Sequence, residues 1–141
     1  MDIRPYSPAD RDACLEIFDS NTPDLLSPNA RPKFMEFLDA PASSFFIAEH
    51  NGEIAGCGGF EIIGVTARLH WGMVRRPWQR QGLGRFLLFY RLREITRDAA
   101  VEIVGLEAPR QAVPFFTAQG FREVAGTSEY AEMAKRLVVC A

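Results

Sequence analysis

Two glycines one residue apart, Gly82 and Gly84, lie in the arginine-rich stretch RRPWQRQGLGRFLL, which runs directly into a leucine-rich segment. This order of residue types predicts a loop between a strand and a helix. The first N–H groups of a helix have no intrahelical partner and carry partial positive charge, so they bind anions. Glycine lets an anion approach the backbone closely, and Arg80 and Arg85 attract it from further away. The stretch therefore predicts an anion-binding site, and its alternative is a simple turn.

The arginines are concentrated around this loop, although the whole chain has a formal net charge of −2. Seven arginines and one acid, Glu94, lie between Arg75 and Arg97. The overall charge does not favour nucleic-acid binding. The local surplus of positive charge indicates an anionic partner at this loop, and a solvated helix face is the alternative explanation.

Two common phosphate-binding motifs do not fit the loop. A P-loop requires Lys and Ser or Thr after its second glycine, and a dinucleotide-binding fingerprint requires a third glycine. The stretch Gln79-Arg80-Gln81-Gly82-Leu83-Gly84 instead resembles Gln/Arg-x-x-Gly-x-Gly/Ala, the acyl-CoA pyrophosphate loop of the GNAT N-acetyltransferase superfamily.

The resemblance covers nearly the whole chain and is most specific from Trp71 to Phe121. Val74 stands five residues before Gln79, where the superfamily's preceding strand ends in Val. Further on, the stretch FFTAQGF, residues 115–121, is similar to the superfamily's Phe-Tyr-x-x-x-Gly-Phe pattern, with Ala112 at a position that is usually small. The segments SSFFIAEHNGEIAGCGGFEI and EMAKRL also resemble the superfamily's hairpin and final strand.

The resemblance implies roles for particular residues. Main-chain groups of Met73 and Val74 would pair with the pantetheine arm, and the Val74 N–H would face the acyl oxygen. The sheet would splay after Val74 and admit the thioester. The implied CoA-binding residues are Met73, Val74, Gln79, Arg80, Gln81, Gly82, Leu83, Gly84, Arg85 and Phe116.

The spacing of apolar residues predicts the elements that position the loop. Strands at 43–48 and 53–63 flank the turn His50-Asn51-Gly52-Glu53, because Asn-Gly favours a tight hairpin. Strand 67–74, helix 83–97 and strand 101–106 form a strand–helix–strand unit, which predicts parallel neighbours. A helix at 110–119 and two further strands follow. We expect one α/β (α+β) domain, residues 1–141, with the GNAT fold. Its mixed, mostly antiparallel sheet would have six or seven strands splayed at a central parallel pair, and about four flanking helices.

An alkylammonium with a pKa near 10 must lose a proton before it attacks a thioester. His70 is the first candidate base, because it lies four residues before Val74 and an ordinary imidazole titrates near neutrality. Glu61 and Glu107 are the alternatives, as is a relay through water. Phe116 replaces the Tyr that donates a proton to the leaving thiolate in many members, and Tyr130 is its possible substitute. Cys57 is interpreted as a core residue and not as a nucleophile.

The predicted function is transfer of an acetyl group from acetyl-CoA to a primary amine by direct attack in a ternary complex. Two alternatives are a catalytically silent acyl-CoA sensor of the same fold and a protein that binds another nucleotide. The acceptor would be a small molecule or a peptide, attracted by acids such as Asp19, Asp24, Glu129 and Glu132.

The composition limits which class of protein the chain can be. With 48% hydrophobic and 24% charged residues the chain has an ordinary globular composition. Three dispersed cysteines and two histidines argue against a disulfide framework and a metal site. No apolar run has the roughly 20 residues of a membrane span, and the N-terminus lacks a secretory apolar region. We expect a cytoplasmic monomer or homodimer without a metal.

Overall fold

The computed structural model describes residues 2–22, 26–41 and 44–137. The strands are β1 (Asp2–Pro5), β2 (Phe45–His50), β3 (Glu53–Ile63), β4 (Thr66–Val74), β5 (Ile103–Pro109), β6 (Arg122–Gly126) and β7 (Tyr130–Arg136). The α-helices are α1 (Arg11–Ser20), α2 (Arg31–Asp39), α3 (Leu83–Ile95) and α4 (Val113–Ala118). Short 3₁₀ turns directly precede α1, α2 and α4, and a further one lies at Arg76–Trp78.

The strands form one mixed sheet in the order β1-β2-β3-β4-β5-β7-β6. β4 and β5 are parallel neighbours, with Thr66 opposite Ile103 and Arg68 opposite Gly105. The neighbouring pairs β1–β2, β2–β3, β5–β7 and β6–β7 are antiparallel. The predicted fold class and the predicted parallel pair are therefore confirmed.

The chain divides into two compact units. The first contains Met1–Gly59 and Trp71–Leu92. Its core packs Phe18 of α1 and Phe34 of α2 against Phe45, Ile47 and Met73 of the strands. The second unit contains Phe60–His70 and Arg93–Ala141. Its most buried side chains include Val104, Leu106, Phe121 and Met133.

The hairpin between β2 and β3 forms at the predicted turn. Asn51 and Gly52 both have positive φ, 53° and 80°, as an Asn-Gly turn requires. The β3 strand has the predicted bounds of 53–63. In the described part of the chain, no helix combines the length and the apolarity needed to cross a membrane.

The buried face of α3 includes a charged residue. Phe86 is 47% exposed although it lies in the leucine-rich segment after the loop. Arg91 lies on the buried face and is only 4% exposed, in line with Leu83, Leu87 and Ile95. These four positions are four residues apart, so they form one stripe along the helix. An arginine within an apolar stripe was the sequence signal for this burial.

Candidate functional site

The loop between β4 and α3 contains two residues with a left-handed backbone. Arg80 and Gly82 both have positive φ, 63° and 82°. A Cβ at Gly82 would meet nothing within 4 Å, so the backbone angle and not crowding is what favours glycine. The first helical bond of α3 runs from Phe86 N to Gly82 O at 3.0 Å. The N–H groups of the residues between them therefore precede the first intrahelical acceptor and are available to an anion.

The Gln79 side chain is turned into the protein. Its Nε2 donates to Asn21 Oδ1 at 2.6 Å and to the carbonyl oxygen of Val74 at 3.0 Å. Asn21 Nδ2 donates to the same Val74 oxygen at 3.0 Å and to Ile17 O at 2.9 Å. Asn21 is 2% exposed. Since a carbonyl has two lone pairs, both acceptor positions of the Val74 oxygen are occupied within the protein.

The carboxyl end of α1 holds the loop at a second place. Arg76 N donates to Ser20 Oγ at 3.2 Å, and Arg76 Nε donates to Ser20 O at 2.8 Å. Arg75 forms an ion pair with Glu16 at 3.4 Å. The helix thus fixes the start of the loop, a role that the sequence analysis did not assign to Ser20 or Asn21. Ser-Asn at a helix end indicates only a loop, so these residue types did not reveal the contact.

An open depression of about 440 Å³ lies beside the loop. Glu53, Arg75, Pro77, Trp78 and Gln81 line it. The ring centre of Trp78 lies 4.9 Å from that of His50, edge to face. The depression has charged, amide and aromatic groups, so it fits a polar part of a ligand better than an apolar one.

The β4 strand has an unusual backbone at Trp71. Its φ is 51°, a conformation that a bulky residue rarely adopts and that costs free energy. The ring packs against Phe34, with the ring centres 4.8 Å apart. On the neighbouring strand, a Cβ at Gly56 would lie 2.9 Å from Met73 O. Trp71, with its strained backbone, and Gly56 therefore lie next to the segment that contains Met73 and Val74.

The candidate bases lie in the second unit. His70 is half-buried on β4, whereas Glu61 on β3 and Glu107 on β5 are exposed. Glu107 is directly opposite Glu132 of β7. Arg68 makes a bidentate pair with Glu132, at 2.8 and 3.1 Å. The hydrogen bonds from Arg68 lower the pKa of Glu132, so this carboxylate is ionised but already paired.

Phe116 lies on α4 among other aromatic rings. Its ring centre is 5.7 Å from that of Phe121 and 5.0 Å from that of Phe115, both edge to face. Gly120, with a φ of 92°, follows the helix as predicted. Tyr130 is half-buried at the start of β7.

The acids that were expected to attract an amine differ in their surroundings. Asp19 is paired with Arg31 at 2.9 Å, whereas Glu129 is exposed. Asp24 lies outside the described residues. Two of the four acids, Asp19 and Glu132, are therefore already engaged by arginines.

The described cysteines are buried, as expected of core residues. Cys14 and Cys57 are both 0% exposed. A hydrogen bond with Cys14, together with burial, raises the pKa of the Cys57 thiol well above its ordinary value. Such a thiol is a poor nucleophile. Within residues 2–22, 26–41 and 44–137, no group of three or more potential metal ligands occurs.

Solved structures share this fold. The chain superimposes on the ribosomal-protein-S18-alanine N-acetyltransferase of Escherichia coli with a TM-score of 0.79, at 21% identity over 99% of this chain and 96% of that one. The PaiA N-acetyltransferase of Thermoplasma acidophilum, solved with coenzyme A, gives 0.76 at 16% identity over 96% and 98%. The ribosomal-protein-alanine N-acetyltransferase of Brucella melitensis gives 0.74 at 20% identity over 97% and 100%.

The sequence itself identifies the family. No curated protein matches the chain significantly. The model of the acetyltransferase (GNAT) domain matches residues 24–135, which include the loop, β4, α3 and α4. The chain therefore belongs to the GNAT acetyltransferase family and is an acyltransferase.

Proposed function

We propose that the chain transfers an acetyl group from acetyl-CoA to a primary amine, which attacks the thioester directly in a ternary complex. The observation that carries the proposal is the conformation of the β4–α3 loop. Arg80 and Gly82 have left-handed backbones and lead into the free N–H groups of the α3 N-terminus. This arrangement suits a pyrophosphate, because the amides and the helix dipole both favour an anion.

The donor would be held by backbone groups along β4 and the loop. The amides from Arg80 to Arg85 would bind the pyrophosphate, and main-chain groups of Met73 and Val74 would pair with the pantetheine arm as an added strand. The Val74 carbonyl already accepts bonds from Asn21 and Gln79. Val74 would therefore contribute only its N–H, which would stabilise negative charge on the acyl oxygen.

The amine must be deprotonated before it attacks. His70 is the preferred base, because an ordinary imidazole accepts a proton near neutral pH. Glu61 is the second choice. Glu107 is the third choice; it lies on β5 opposite Glu132, which is paired with Arg68.

The leaving thiolate has no proton donor at Phe116. A phenyl ring supports the neighbouring aromatic residues but carries no acidic hydrogen. Tyr130 is the proposed substitute. The proposal therefore has the thiolate leave as an anion or take its proton from water.

Binding and turnover test the proposal separately. Calorimetry should show that acetyl-CoA binds orders of magnitude more tightly than ATP or NAD. A panel of small amines and of peptides with a free N-terminal alanine should then release CoA thiol above the rate of hydrolysis. Tight binding without release by any amine would support the alternative, a silent acyl-CoA sensor. Equal affinity for ATP or NAD would refute the CoA site.

A further inference from the structure

Arg91 is a buried cation without a carboxylate partner among the described residues. The side chain is 4% exposed. Its Nε donates to Leu87 O at 3.4 Å and its Nη1 to Gly59 O at 3.3 Å. Both acceptors are neutral carbonyls, and both bonds are long for N–H···O contacts. Burying such a charge without an opposite charge is costly, so the position requires an explanation beyond packing.

Two glycines make room for the guanidinium. A Cβ at Gly58 of β3 would lie 3.1 Å from Arg91 Cζ, and one at Gly72 of β4 would lie 2.8 Å from Nη2. Gly72 itself is exposed. The guanidinium therefore lies directly against the backbone of β3 and β4, in the space that the two missing side chains leave.

Within residues 2–22, 26–41 and 44–137, no carboxylate is paired with this charge. Cys57 on β3 is the titratable group whose charge bears on Arg91 in the described part of the chain. Its hydrogen bond with Cys14 and its burial raise the pKa of that thiol, so it stays neutral. Burial lowers the pKa of Arg91 to about 10. The guanidinium therefore remains cationic at neutral pH.

The strand relates this charge to the proposed reaction. Gly72 and Val74 are two residues apart on β4, which corresponds to about 7 Å along a strand and to the same face. Val74 packs on the face that also carries Leu83 of α3, and α3 is the helix that holds Arg91. The acyl oxygen would lie beside the Val74 N–H, and the sulfur is bonded to the same acyl carbon. A negative charge on either atom would therefore form close to the strand segment that covers the guanidinium.

We infer that Arg91 stabilises the CoA thiolate electrostatically as it leaves, in place of a proton donor. The inference rests on the proposed function. As the amine nitrogen forms its bond to the acyl carbon, the carbon–sulfur bond breaks and its electron pair stays on sulfur. The proton of the amine passes to the base. The buried cation then faces the thiolate, and its unfavourable burial is offset at that moment.

The experiment measures the affinity of CoA from about pH 7 to about pH 9.5, a range that spans an ordinary thiol pKa of about 8.5. A nearby cation should lower the pKa of the bound thiol by about one unit, so CoA affinity should rise about tenfold with pH. Desulfo-CoA, which has no thiol, should show no such rise. A wild-type affinity for CoA that does not change with pH would overturn the inference without any variant.

Variants assign the effect to this residue. Arg91→Met, which keeps a flexible unbranched side chain but not the charge, should lose the rise and reduce kcat about tenfold with little change in the KM for acetyl-CoA. Arg91→Lys should keep most of the rise in affinity with pH and most of kcat. Arg93→Met, an exposed arginine on the same helix, should match the wild type. An unchanged pH dependence in Arg91→Met would refute the assignment, and if that variant does not fold, the lysine variant and the wild-type titration decide.

The result separates the two proposals. A chain that does not bind CoA or acetylate any amine would refute the proposed function. A chain that binds CoA and turns over, but shows no thiol-dependent rise in affinity with pH, would refute only the role of Arg91.

Discussion

Asn21 and Gln79, separated by 58 positions in the chain, are joined by a hydrogen bond of 2.6 Å. Both side chains also donate to the carbonyl oxygen of Val74. One buried amide at the end of α1 therefore fixes the end of β4 and the first residue of the glycine loop together. The Gln79 side chain, at the first position of the loop motif, therefore supports the shape of the loop.

Removing either amide should weaken CoA binding through the loop. We expect Asn21→Ala and Gln79→Ala each to raise the Kd of CoA about fivefold to tenfold, which corresponds to about 1 kcal/mol for a lost hydrogen bond. The double variant should be little worse than either, because the two residues share one interaction. Calorimetry on the four proteins measures the coupling. Asn29→Ala, at an exposed position, is the control, and strictly additive losses would contradict the coupling.

Gly82→Asp should abolish measurable CoA binding. It places a negative charge in the anion site and forces a side chain into a backbone with φ of 82°. Gly64→Asp is a matched control, since Gly64 also has positive φ, 62°, and open space around its Cβ. The two variants should lose similar stability, by about 1 kcal/mol, but only the first should lose affinity. Retained affinity in Gly82→Asp would place the pyrophosphate elsewhere.

His70→Ala should remove the acidic limb of the rate–pH profile. A histidine base is active only when neutral, so the wild-type rate should rise with pH on the acidic side of the profile. Without it, the rate should fall about a hundredfold, a typical contribution of a general base, and the limb should disappear. Glu61→Gln should keep the limb. The opposite pattern, with the limb lost only in Glu61→Gln, would make Glu61 the base.

Phe116→Tyr should have little effect on the wild type but should restore activity to Arg91→Met. The added phenol supplies a proton to sulfur when the stabilising cation is missing. We expect the Phe116→Tyr single variant to stay within about threefold of wild type and the double variant to recover most of a tenfold loss. Steady-state thiol release measures all four proteins. If the double variant is as slow as Arg91→Met, the phenol does not replace the cation.

The Arg4–Asp10–Glu49 cluster should make part of the stability dependent on pH. Arg4 bonds Asp10 at 2.7 and 2.8 Å and Glu49 at 2.8 Å, and Asp10 is 4% exposed. These bonds lower the pKa of Asp10 in the folded chain. The contribution of the Asp10 carboxylate to the free energy of unfolding is therefore complete at pH values above the unfolded pKa of about 3.9. It is lost as the pH falls through the lower pKa of the folded chain.

Asp10→Asn tests this dependence by urea unfolding at neutral and acidic pH. The variant should be less stable than wild type by about 2 kcal/mol at pH 7. The difference should shrink as the pH falls below about 3.9. Asp12→Asn, at an exposed position of α1, should behave as wild type. If the difference in free energy of unfolding between wild type and Asp10→Asn stays constant with pH, the lost charge is not its cause.

The sequence predicted the features that local pattern controls. Apolar spacing and the Asn-Gly turn gave β3 its bounds, and the strand–helix–strand order predicted the parallel neighbours. The glycine spacing located the loop. The motif could not reveal that Gln79 points inward, because its partner, Asn21, lies far away in the chain. The left-handed Trp71 was equally hidden, since its strain is offset by packing on α2, a contact between distant segments.

The glycines beneath Arg91 have a consequence for how this chain can vary. A side chain at position 58 or 72 would press on the guanidinium, so a larger residue at either position requires the arginine to shift. Loss of the arginine in turn leaves a hollow that a larger residue at 58 or 72 would fill. Positions 58, 72 and 91 should therefore be inherited as a set in related sequences, with arginine accompanied by two glycines and an apolar residue at 91 accompanied by larger neighbours.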